Sequence, residues 1–152
     1  MNIILDISQF NSNDIYYQEP VKNTIMNNSK FIRIIYSNSL FMMNGIYIRF
    51  NLNIIHVEKS FNKYKLFFDK QLNNNEIISI SKIEQDLLKK INIIDKTPIY
   101  RISEQLANGN IKMFIDSDNT FVTNKLFINE LHLKISGIWE NDTEYGVTYR
   151  FY

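Results

Sequence analysis

Residues 130–152 read ELHLKISGIWENDTEYGVTYRFY, from Glu130 to Tyr152. Leu131, Leu133, Ile135, Gly137 and Trp139 alternate with His132, Lys134 and Ser136. Past a polar turn of Asn141, Asp142, Thr143 and Gly146, the residues Val147, Tyr149 and Phe151 alternate with Thr148, Arg150 and Tyr152. Period-two alternation on both sides of a turn predicts a β-hairpin with one apolar and one polar face. The polar face carries cations and an aromatic ring. A hairpin of this kind can close a small barrel, and that expectation organises the rest of the chain.

Upstream, Lys30–Tyr36, Gly45–Lys59, Tyr64–Asp69 and Ile111–Ile115 read as strands, and Thr120–Phe127 as an extended ribbon. Asn2–Gln9 reads as an extra strand outside the barrel, followed by an irregular or partly extended stretch to Ser29 that is interrupted at Pro20. Along Gly45–Lys59, Ile46, Ile48, Phe50 and Leu52 point inward while Tyr47, Arg49, Asn51 and Asn53 point outward. The pair Ile54-Ile55 breaks that alternation and predicts a bulge or a change of buried face. The one clear helix is Asn75–Ile91, where Ile80, Ile83, Leu87 and Ile91 recur at three- and four-residue spacing. Glu76 near its start and Lys89-Lys90 near its end suit the helix dipole. Ser103–Ala107 predicts a short helical turn.

The fold class expected from this order is mainly β (α+β). It is a five-stranded OB-like Greek-key barrel with one helix between strands 3 and 4 and an extra N-terminal strand, and residues 1–152 form one domain. A generic α+β sandwich is the competing architecture. Ile80, Ile83, Leu87, Trp139, Tyr149 and Phe151 are expected in the core.

Composition narrows the function classes. The chain has 152 residues, 45% of them hydrophobic, with a formal net charge of +1. Any affinity for nucleic acid must therefore come from a local patch rather than a global field. Near-neutrality also permits self-association, a homodimer being the simplest form. With no cysteine, disulfides, thiolate metal sites and cysteine nucleophiles are excluded. The start MNIILDISQF lacks a basic lead and a small-residue cleavage site, and no run approaches the roughly 20 apolar residues that span a bilayer. The expected setting is intracellular, without membrane partners. Isoleucine, asparagine and lysine abound while alanine occurs once, a bias of AT-rich genomes.

The sequence offers no enzyme. Glu84 and Asp86 stand two residues apart in the helix, on different faces, and read as solvated surface. Glu140, Asp142 and Glu144 cluster at the hairpin turn, where alternate acids could hold a divalent cation, although a turn is polar in any case. His56 and His132 have no Ser or Asp partner nearby in sequence, and no phosphate loop, dinucleotide fingerprint or zinc pattern is present. No catalytic residue, metal or cofactor is expected.

Binding has better support. Strand alternation turns Tyr47, Arg49, Lys63, Lys65, Phe67, Lys112, Phe114, Lys134, Arg150 and Tyr152 outward. Cations track phosphates and exposed rings stack on unpaired bases, so these residues are candidates for a single-stranded nucleic-acid site. Arg49, Lys63, Lys65, Lys112 and Lys134 are expected to line one concave face with Tyr47 and Phe67. With aromatics at 14% of the chain, many rings must instead be core, Phe50 and Phe68 among them.

The blocks GIYIRFNL, FNKYKLFFD, ISKIEQDLLKKI, YRISEQLANGNIKMF and KISGIWENDTEYGVTYRF, spread from Phe31 to Phe151, resemble a family of small proteins of eukaryotic large DNA viruses and related elements. That family is similar to the phage-replication type of OB-fold single-stranded DNA-binding protein. The resemblance implies sequence-tolerant binding of exposed DNA strands in replication or recombination, with replication proteins as partners. It also implies a location in host cytoplasm or nucleus, or packaging in the virion. Such proteins commonly end in an acidic, flexible tail, whereas here Tyr149-Arg150-Phe151-Tyr152 read as strand. Two rivals come from other classes: a viral structural or assembly protein using the barrel for protein contacts, and a small enzyme or inhibitor with an unfamiliar site.

Overall fold

A long strand shared by two partners organises the molecule. The computed structural model describes residues 3–25, 27–114 and 130–152. In chain order these form β1 (Leu5–Asp6), β2 (Ile15–Tyr17), β3 (Val21–Lys22), β4 (Lys30–Ser37), β5 (Met42–Asn44), β6 (Ile46–Asn51), β7 (Ile54–Ser60) and β8 (Lys63–Phe68). Then come helix α1 (Asn74–Ile91), β9 (Thr97–Ile99), helix α2 (Arg101–Ala107), β10 (Asn110–Phe114), β11 (Glu130–Glu140) and β12 (Glu144–Phe151). The ribbon expected at Thr120–Phe127 and the last residue of Ile111–Ile115 lie outside the described residues.

One edge of β11 pairs twice. Glu130–Ile135 lies antiparallel to β6, and Gly137–Glu140 lies antiparallel to the first half of β4. The second half of β4 leaves β11 and takes β5 on one side and β2 on the other. Gly45 joins β5 to β6 where the sheet divides. Its φ is 79°, its N–H donates to the Ile34 carbonyl at 2.8 Å, and a Cβ there would meet the Ile135 carbonyl oxygen at 2.9 Å. Only glycine meets both demands.

The main path runs β1-β6-β11-β12-β10-β8-β7 within a twelve-stranded mixed sheet, and its ends do not join. The mainly β class therefore holds, but among the described residues the sheet is open, mixed and twelve-stranded rather than the five-stranded OB-like barrel expected. The physical reason is at the edges. The parallel strand β1 lies on the side of β6 away from β11, and among the described residues β7 pairs with β8 alone and ends the other side.

The apolar inner face packs Ile46, Ile48 and Phe50 with Leu131, Leu133, Ile135, Phe151, Met113 and Leu66. Helices α1 and α2 close over them through Ile80, Ile83, Leu87, Leu88, Ile102 and Leu106. Each fully buried side chain of this size contributes about 1.5–3 kcal/mol. Helix α1 matches the expected helix to within a residue and ends at Asn92, a left-handed cap with φ 44°. Asn73, just before it, is buried. Its Oδ1 accepts from the Asn53 N–H at 2.8 Å, and its Nδ2 donates to the Asp69 carbonyl at 2.7 Å. This side chain ties the helix start to the break at Leu52-Asn53, where the expected long strand Gly45–Lys59 divides into β6 and β7. The register also shifts between Ile54 and His56, leaving Ile55 exposed at the predicted bulge.

Three other expectations need correction. The strand Asn2–Gln9 stops at Asp6, because the Gln9 side chain accepts from the Asp6 N–H at 2.8 Å and draws Ile7–Gln9 into a 3-10 turn. The stretch to Ser29 is partly extended as expected, contributing β2 and β3 to the edge of β4. Tyr149 is only half-buried, its hydroxyl donating to Gln105 Oε1 at 2.9 Å. Glu84 is fully buried rather than solvated. Its carboxylate accepts from the Ile102 and Ser103 N–H groups and from the Ser103 hydroxyl at 2.9, 2.8 and 2.6 Å, which terminates the start of α2. Burial pushes this carboxyl above its usual range while those three donors pull it back.

Candidate nucleic-acid interface

Register decides which side chains share the outer face of the sheet. On β11, Lys134 stands opposite Tyr47 of β6 and Arg150 of β12, and His132 stands opposite Arg49. The Tyr152 and His132 backbones exchange hydrogen bonds, so Tyr152 follows His132. Met113 of β10 pairs in parallel with Phe151, both in the core, which sends Lys112, Phe114, Arg150 and Tyr152 outward together. Farther along, Lys112 lies opposite Lys65, Phe114 opposite Lys63, and Phe67 opposite His56. The ten residues expected from the sequence thus fall on one face, spread over β6, β11, β12, β10 and β8.

The contacts between them are cation on ring. Lys63 Nζ lies 4.9 Å from the Phe114 ring centre, and the Arg150 guanidinium lies 5.1 Å from the same ring. Lys65 Nζ lies 5.1 Å over Phe67, and Lys134 Nζ lies 5.5 Å over Tyr47. Such contacts hold the cations flat against the sheet, each of them partly buried and the Arg150 Nε fully so.

The residues are not equivalent. Tyr47 is buried beneath Lys134 and cannot present its face to a base. Arg49 is engaged by Asp6, with Nη2 and Nε both 2.9 Å from Oδ1, so its charge is largely spent. That pairing raises its already high pKa further. Phe114 is the most open ring, 42% exposed, and Phe67 is half-buried between Lys65 and His56. Tyr152 meets His132 edge-on at 5.5 Å, and burial raises its hydroxyl pKa above the ordinary value.

Two outward residues that sequence reasoning passed over extend the face. Arg33 alternates with the buried Ile32 and Ile34 on β4, and Phe31 lies beside it. The alternation signalled Arg33, but the pairing of β4 with the far end of β11 had to be known to place it beside Lys134. Phe31, Arg33, Asn44, Tyr47, Lys134 and Ser136 surround an open hollow of about 260 Å³.

The acidic candidates do not converge. Glu140 is buried near Lys96 at 3.6 Å, while the Asn141 Oδ1 organises the turn by accepting from the Thr143 and Glu144 N–H groups. His56 and His132 sit 3.5 and 3.2 Å from Glu58 and Glu130 on the outer face. Among the described residues no group of three or more His, Asp or Glu side chains is placed to hold a metal ion, and no helix is long and apolar enough to cross a membrane.

No family model, curated protein or solved structure matches this chain. Its role is therefore read from the face itself.

Proposed function

We propose that this protein is a non-enzymatic, sequence-tolerant binder of single-stranded DNA, acting in viral-type replication or recombination. The observation that carries the reading is the unbroken outer strip in which Lys63, Lys65, Lys112, Lys134 and Arg150 alternate with Phe67, Phe114 and Tyr152. Cations at strand spacing follow a phosphate chain, and each ring accepts a base of any identity for about 1–3 kcal/mol. A flexible single strand can lie flat across a sheet, whereas a duplex presents its bases edge-on inside grooves. The replication setting rests on the resemblance of the sequence blocks.

The test is oligo-dT titration followed by intrinsic fluorescence over a range of salt. With about four or five cations engaged, log affinity should fall against log salt with a slope near −3, from about 0.7 per neutralised phosphate. Lys65→Ala and Lys112→Ala should each reduce that slope. Arg49→Ala should change it little, because Asp6 already holds that charge. Phe114→Ala should weaken binding at every salt concentration. A folded protein that ignores oligo-dT at low ionic strength overturns the reading and favours an assembly role for the same face.

A further inference from the structure

We propose that the hollow between β4, β6 and β11 is a seat for one phosphate group. The proposal rests on the single-strand reading for its biological source of phosphate, but not for its chemistry.

Five side chains with donors line the hollow: Arg33, Lys134, Asn44, Ser136 and Tyr47. Among the described residues none of the five donates a side-chain hydrogen bond or forms an ion pair, the Lys134 ammonium only resting over the Tyr47 ring. No carboxylate lines the hollow. Two cations, Arg33 and Lys134, beside neutral donors and no carboxylate give the recess a positive potential that favours an anion over water. Guanidinium and ammonium together select a tetrahedral oxyanion with several acceptor oxygens.

The backbone that shapes the recess points the same way. The register of β11 slips between Ile135 and Gly137, so Ser136 and Gly137 both face outward. A Cβ at Gly137 would sit 2.6 Å from the Phe31 ring, so glycine lets that ring lie down as one wall. Gly45 lines another side. The volume of about 260 Å³ falls just below the roughly 300 Å³ at which drug-sized pockets begin. It suits a phosphate with its sugar. Lys134 belongs both to the hollow and to the outer strip, so a strand crossing the strip can end or pass with a phosphate here.

The experiment uses the full chain and amide NMR. Inorganic phosphate, with chloride at matched ionic strength as control, should shift the Arg33, Asn44 and Ser136 amides saturably. Arg33→Gln, at an exposed position, should weaken that binding about tenfold or more, the equivalent of one charge-assisted hydrogen bond. Lys82→Gln removes the same charge from α1 and should leave it unchanged. Shifts that chloride reproduces, or that survive Arg33→Gln, overturn the proposal.

Oligo-dT separates this proposal from the single-strand reading. Saturable phosphate binding with no response to oligo-dT keeps the seat and removes the coat. Oligo-dT binding that phosphate does not compete and Arg33→Gln does not weaken keeps the coat and removes the seat. With both intact, preference for a 5′-phosphorylated oligo-dT identifies a strand end as the source, and equal binding identifies an internal phosphodiester.

Discussion

Glu84 is buried and carries three hydrogen bonds, so its removal is costly. Burial alone would favour its neutral form, but two backbone N–H groups and the Ser103 hydroxyl converge on its carboxylate. Glu84→Ala would leave the start of α2 with unsatisfied buried donors, at about 1–3 kcal/mol for each. The raised pKa sets the sign of its pH dependence. Its contribution is fully present below the unfolded carboxyl value and is lost as pH rises through the higher folded value. Urea unfolding between pH 4 and 7 should therefore show the native protein losing this contribution with rising pH while Glu84→Gln does not. Identical pH profiles would remove the assignment. At the β7–β8 turn, Phe61 has φ 43° and is 99% exposed. A bulky residue gains nothing from that left-handed conformation, so Phe61→Gly should raise stability by about 1 kcal/mol, read as a higher urea midpoint at unchanged slope.

At the scale of elements, the β11 bulge governs what the hairpin presents. Simple alternation assigns Trp139 to the same face as Leu131, Leu133 and Ile135. The slip at Ser136 reverses the phase, so Ile138 enters the core opposite Val147 while Trp139 pairs with Gly146. Trp139 is buried nonetheless, with Gly146 beneath its ring and the Arg101 guanidinium 4.8 Å above it. Among the described residues its Nε1 has no hydrogen-bond partner. Gly137 at the slip cannot carry a side chain. A Cβ there would lie 2.3 Å from the Ile32 carbonyl oxygen, which is backbone and cannot rotate away. Gly137→Ala should destabilise by about 1–3 kcal/mol, as overpacking does, and should shift the Phe31 ring resonances. An unchanged melting temperature would show that the two strands can separate locally without loss.

Across the whole molecule the pairings that matter join distant segments. β11 meets the first half of β4 and all of β6, and β1 joins β6 in parallel. Sheets whose central contacts link residues about a hundred positions apart pay loop-closure entropy before those contacts form, so folding should take milliseconds to seconds. Stopped-flow refolding monitored through Trp139 checks this, and microsecond folding would contradict it. The same long-range assembly separates what could be read from the chain from what could not. Period-two and three-residue spacing place β4, β8, α1, β10 and the β11–β12 hairpin within a residue or two, and the start of β6 but not its end, because local patterning reports burial directly. The outward set from Tyr47 to Tyr152 was legible for the same reason: alternation assigns each side chain a face. Alternation does not say which strands are neighbours, nor where a slip reverses the phase. The adjacency of Lys112 to Lys65, the placing of Arg33 beside Lys134 and the burial of Glu84 under α2 come from hydrogen-bonded register and helix packing between segments far apart in the chain. Whether a sheet closes is likewise set by pairing between distant segments, and among the described residues the path runs from β1 to β7 without joining.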